Sequence, residues 1–138
     1  MSNWMSTSAG GGAAIGQVEV DSRNVNLALA DHNTPAAVRT VCALLTNDAL
    51  TAIGNLPTPD DTLTDDLNNA FQDASAAGND CYKGASGDRV LLARSAAERS
   101  KLVALLATAV TRYETLTGHP PSTTTTLSTA SNDDPFAP

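Results

Sequence analysis

The sequence predicts an all-α protein, an up-and-down four-helix bundle followed by a disordered tail. Three observations lead there. Apolar residues recur at three- and four-residue steps over long stretches, and proline- or glycine-bearing stops separate those stretches. Of the 138 residues, 41% are hydrophobic but only 4% aromatic, and alanine supplies much of the apolar content. Small side chains suit closely packed helices better than a β-sandwich, which draws on alternating Val, Ile, Tyr and Phe.

The first ten to twelve residues are polar and end in Gly10-Gly11-Gly12. Residues 1–12 are therefore read as a frayed arm, with Trp4, the only tryptophan, placed to dock on the bundle. From Ala13 to Ala30 two patterns compete. Val18, Val20, Val25, Leu27 and Leu29 alternate as in a hairpin with Asp21–Asn24 as its turn, whereas Ile15, Val18, Ser22, Val25 and Leu29 keep helical spacing. A lone two-stranded hairpin is marginal, and no Gly or Pro interrupts the segment after Gly16, so the helix is preferred.

The second helix starts at Thr34-Pro35, a cap followed by a proline whose missing N–H costs nothing in the first turn. Its stripe is Val38, Val41, Cys42, Leu45, Ala49, Ala52 and Ile53, and Gly54 is expected to end it in the left-handed conformation. The hinge Leu56-Pro57-Thr58-Pro59-Asp60 follows, with Thr58-Pro59 repeating the start signal and Asp60-Asp61 at the positive end of the helix dipole. Leu63, Leu67, Ala70, Phe71, Ala74, Ala77 and Cys81 form the seam of the third helix, closed by Lys83-Gly84. The fourth runs from Arg89 to Thr117, with Leu92, Ala96, Val103, Leu106, Val110 and Tyr113 as its main stripe and Leu102, Leu105, Ala109 and Leu116 widening it. Gly118 and Pro120-Pro121 stop it. The bundle thus covers residues 13–118, and the Thr/Ser/Pro-rich residues 119–138 form the tail.

Charge orients the helices. Arg89, Arg94, Arg99, Lys101 and Arg112 lie on the fourth helix, and Asp60, Asp61, Asp65, Asp66, Asp73 and Asp80 on the third. Opposite signs favour these two as neighbours, though exposed pairs are worth only ~0–1 kcal/mol each. The net charge of −7 speaks against nucleic acid as a partner, which needs clustered Lys and Arg, and against an anionic membrane surface. No window approaches the ~20 apolar residues of a membrane span, so no direct insertion is expected. Met1–Gly12 has neither the basic start nor the apolar block of a signal peptide. Either the chain is cytoplasmic or it is the soluble part of a longer exported precursor.

Cys42 and Cys81 flank the hinge on core-facing stripes. Their use in an acidic, lysine-poor chain suggests a disulfide and an oxidising compartment. Two buried thiols acting as small hydrophobes is the plainer alternative. Helix ends at Ile53 and Pro59 place Cys81 ~16 Å too far along to meet Cys42, while a disulfide tolerates ~4.4–6.8 Å between α-carbons. Pairing therefore requires a hinge stretched nearly straight to stagger the two helices, a demand that shifting either helix end by a residue or two relaxes.

The pattern Cys42, Leu56-Pro57-Thr58-Pro59-Asp60, Leu63-Thr64, Leu67, Ala70, Cys81 resembles a group of uncharacterised actinobacterial small helical proteins, often lipoproteins or membrane-anchored. The resemblance covers about Val38 to Cys81. It implies a Cys42–Cys81 disulfide and an extracytoplasmic home, and no activity. This chain has no lipobox or anchor.

Chemical motifs are sparse. His32 falls in the turn before Thr34, and His119 follows Gly118, where it complements the helix dipole. HxxxH, ExxH and CxxC spacings are absent, and Gly10–Gly12 lacks the GK[ST] of a phosphate loop. The quartet Asp60, Asp61, Asp65 and Asp66 lies in the first turns of a helix, where capping explains it better than calcium. Tyr82 and Tyr113 need hydroxyl partners wherever they are buried. No catalytic residue, metal or cofactor is assigned. The expected role is a non-enzymatic extracytoplasmic binding or interaction module with a protein partner. The alternatives are a cytoplasmic helical adaptor and a bundle carrying a small apolar ligand.

Overall fold

The computed structural model describes residues 11–118, and its elements are four helices in sequence: α1 (Gly11–Ala30), α2 (Pro35–Ile53), α3 (Asp61–Gly84) and α4 (Arg89–Thr117). The arm through residue 10 and the tail expected at 119–138, with His119, lie outside the described residues. The helices pack in chain order, α1 on α2, α2 on α3 and α3 on α4, as an up-and-down bundle. Between α1 and α4 the contact is sparse, so the bundle is open along that seam.

The disputed first segment is a helix. Ile15, Val18, Ser22 and Val25 are buried on one side, and Leu29 packs against the core from its edge. The helix begins two residues before the expected Ala13, and Gly12 and Gly16 are both buried. Thr34 caps α2 as expected, its Oγ1 accepting from the Ala37 N–H at 3.2 Å. Every member of the expected α3 seam is fully buried, and Phe71 is the largest fully buried side chain among the described residues.

Gly54 ends α2 at φ −63°, right-handed, so the expected left-handed stop is not used there. Gly118 does end α4 in the left-handed conformation, at φ 81°. Nor is Thr58 the cap of α3. Asp60 takes that role, its carboxylate accepting from the Leu63 N–H at 2.9 Å, and the helix begins at Asp61. Thr58 is buried and knots the turn instead: its N–H donates to Thr64 Oγ1 at 2.9 Å, and its Oγ1 accepts from the Asp60 N–H at 3.0 Å.

This later start resolves the demand on the hinge. Cys81 lies nine residues further from its helix end than Cys42 does, ~13 Å rather than ~16 Å along the axes. The linker also gains two residues. It therefore bends rather than running straight: the Asn55 and Leu56 N–H groups donate back to Ala52 and Ile53, and the Leu56–Pro57 peptide is cis.

Two further expectations change. α2 is long and apolar enough to cross a membrane by length and composition, contrary to the window reading. In the fold it is a bundle helix with Val38, Cys42, Leu45, Ala49 and Ala52 buried. On α4 the buried face is Ser95, Arg99, Leu102, Leu106, Ala109 and Tyr113, whereas Ala96 and Val103 of the expected stripe are exposed. Selecting apolar residues alone rotated the stripe away from the true seam, because two of its positions are polar.

Candidate functional site

The two cysteines are brought together. Cys42 and Cys81 form a disulfide between α2 and α3 with α-carbons 5.8 Å apart, and both are fully buried. Such closeness needs a small residue at the crossing. Gly78, one turn before Cys81, supplies it: a Cβ there would lie 2.2 Å from Thr46 Oγ1 and 2.7 Å from the Cys42 carbonyl oxygen. Thr46 Oγ1 donates to the Ser75 carbonyl at 3.2 Å and adds a polar tie across the crossing. Sequence reasoning passed over Gly78, although glycine inside a helix, at ~1 kcal/mol less favourable than alanine, signals close approach.

Arg99 was also missed as more than one of several basic residues on the fourth helix. It is 6% exposed and faces the open α1/α4 seam. Its Nε donates to Asn26 Oδ1 on α1 at 3.0 Å, and its Nη1 donates to Ser95 Oγ at 2.5 Å. Ser95 in turn donates to the Ala77 carbonyl on α3 at 2.7 Å, which leaves its hydroxyl oriented to accept from the guanidinium. Among the described residues no carboxylate pairs with Arg99. Burial pushes its pKa down, and neighbouring Glu98 opposes that. The spacing 92, 95, 99, 102, 106, 109, 113 alternates threes and fours and marks Arg99 as core-facing once polar residues are admitted to the seam. A groove of about 350 Å³ opens over it, lined by Asn26, Ala96, Arg99, Ser100 and Val103.

Acidic groups make two further interhelical contacts. Asp21 of α1, 4% exposed, accepts from Gln17 Nε2 at 2.9 Å and faces Asp48 of α2. Burial first, then the facing Asp48 carboxyl, raise its pKa to about 7. Glu98 of α4 meets Asp80 of α3 in the same way, and burial first, then Asp80, raise its pKa to about 7, against the pull of Arg94. Asp21 and Glu98 are thus both held well above the usual carboxylate range, each at a contact between two helices.

The expected attraction of α3 for α4 takes the form of Arg112 bound to Asp60 at 2.8 and 3.0 Å, with Arg94 and Asp80 at 4.0 Å. The Arg112 hydrogen bonds, with the Leu63 N–H, hold the Asp60 pKa down at about 2. Asp60 is therefore a cap and an ion-pair partner. Among the described residues no three His, Cys, Asp or Glu side chains gather into a metal-ligand set. His32 lies in the α1–α2 turn at φ 53°, Tyr82 is exposed, and Tyr113 is buried in the core. A shallow groove of about 450 Å³ runs beside Leu44 and Tyr82 on the outer side of α2; its one charged residue, Arg39, reaches only Ser86, at 3.4 Å.

Comparison with protein-family models, with curated proteins and with solved structures finds no match to this chain.

Proposed function

We propose that this chain is a non-enzymatic helical-bundle module that works outside the cytoplasm and acts by binding. The observation that carries the reading is the buried Cys42–Cys81 disulfide, which ties two core helices across the hinge. Disulfides persist in oxidising compartments and are rare where glutathione and thioredoxin keep thiols reduced. The chemical inventory agrees in kind. Asp60 and Arg112 engage each other, Asp21 and Glu98 each face a second carboxyl, and His32 sits in the α1–α2 turn. What the fold offers a partner is surface: the open α1/α4 seam and the outer side of α2, where Leu44 and Leu50 are exposed.

The test is a thiol count on protein recovered from its native cells, alkylated at once under denaturing, non-reducing conditions, with parallel cell fractionation. No free thiol, and protein in the envelope or extracellular fraction, is the expected result. Two free thiols in a cytosolic fraction overturn the reading.

A further inference from the structure

Arg99 is a buried cation that lines an open groove, and among the described residues no carboxylate lies within ion-pair distance of it, only the field of neighbouring Glu98 supporting its charge. A guanidinium carries five N–H donors. Here Nε is taken by Asn26 and one Nη1 hydrogen by Ser95, while Nη2 has no acceptor among the described residues. Burying an unpaired charge is expensive, and the usual remedy is a carboxylate accepting from two parallel N–H groups. The nearest acidic residue in sequence, Glu98, acts on Arg99 through its field but makes no hydrogen bond or ion pair with it among the described residues, and it also feels Asp80 on α3.

The surroundings narrow the anion. Asn26 and Ser100 give the groove polar edges, and Ala96 with Val103, 57% exposed, gives it an apolar wall beside the guanidinium. Arg99 is the one cation among the residues that line the groove, which suits a single negative charge better than a dianion. About 350 Å³ lies at the small end of ligand sites. We infer that the α1/α4 groove binds a small monocarboxylate with an apolar body, its carboxylate bidentate on Arg99 and its hydrocarbon against Ala96 and Val103. This gives the binding-module reading a ligand class and rests on that reading only in its binding part; the compartment does not enter.

Octanoate serves as the probe, titrated into the full-length oxidised protein and followed by amide chemical shifts. Saturable shifts centred on Asn26, Ser100 and Val103 are expected. Octanol, without the charge, and inorganic phosphate, without the apolar body, should each bind at least tenfold more weakly. Arg99→Met keeps the bulk, removes the charge, and should lower octanoate affinity at least tenfold while the fold persists, since an unpaired buried charge is replaced by an apolar chain. Val103→Asp, on the exposed rim, sets a repelling charge beside the carboxylate and should lower affinity similarly; it decides the matter if Arg99→Met does not fold. Octanol or phosphate binding as tightly as octanoate, affinity unchanged in the folded variants, or no saturable shift overturns the inference. Free thiols in native material would defeat the compartment assignment and leave this result untouched.

Discussion

Gly78 and Arg99 show how single residues shape this bundle. At Gly78 the α2 backbone comes so near that a methyl group would press on the Cys42 carbonyl and the Thr46 N–H, both at 2.7 Å. Backbone atoms of a packed helix yield only if the helices separate, and the disulfide one turn away resists that separation. Gly78→Ala is therefore expected to lose about 1–3 kcal/mol through overpacking, despite the ~1 kcal/mol that alanine gains in helix propensity. Urea denaturation midpoints check this, with Asn79→Ala as a control. Asn79 is exposed, so its replacement should leave stability unchanged or slightly raised. Arg99 was hidden for the opposite reason. Its burial follows from its place in the seam of α4, which a search for apolar residues discards.

Between elements, buried carboxyls that face a second carboxyl govern how the helices tolerate pH. Asp21 faces Asp48 across α1 and α2, and Glu98 faces Asp80 across α4 and α3, with Arg94 and Asp73 also acting on Glu98. A carboxyl whose folded pKa is raised to about 7 favours folding fully below its unfolded value, ~4. That contribution is lost as pH rises from there through 7. Asp60 works the other way. Held at about 2 by Arg112 and the Leu63 N–H, it stabilises above ~4 and loses that contribution as pH falls towards 2. Stability should therefore peak at mildly acidic pH, near 4–5, and decline towards 8. Urea midpoints across pH 2–9 measure it. Asp21→Asn and Glu98→Gln should each flatten the decline between pH 5 and 8 and raise the midpoint at pH 8. A stability maximum above pH 7 in the unaltered protein would contradict the raised pKa values of Asp21 and Glu98.

At the scale of the whole molecule, the disulfide and the open seam divide the labour. Cys42 and Cys81 are 39 residues apart in sequence, and closing a loop of that size stabilises by up to ~4 kcal/mol in the chain-entropy model. The double variant Cys42→Ala/Cys81→Ala is expected to lose about 2–4 kcal/mol, read from denaturation with and without reductant. The oxidised wild type should respond to reductant and the variant should not. With α2 and α3 tied and α3 packed closely on α4, α1 meets α4 only sparsely, and the Asn26–Arg99 hydrogen bond bridges the two. A bundle stapled on one side can leave its opposite seam open to a ligand.

The sequence by itself determined the four helices, the Thr34 cap, the Gly118 stop and the α3 seam. Each is a local matter of residue spacing, backbone freedom or an orphan N–H group finding a side chain. Helix over hairpin at residues 13–30 was legible for the same reason, since Ile15, Val18, Ser22 and Val25 carry the period in full. The hinge lay at the edge of what could be read: its proline and threonine residues marked a helix start at Thr58-Pro59, whereas the cap is Asp60. Only the contact of Thr58 with Thr64, and of Asp60 with Arg112 fifty-two residues on, decided between them. Tertiary structure alone determined that two residues fewer in α3 let the cysteines meet without a stretched linker. It alone set Gly78 at the crossing and placed Arg99 at the bottom of a groove. Burial, charge pairing and interhelical distance belong to pairs of segments far apart in the chain, and no local pattern encodes them.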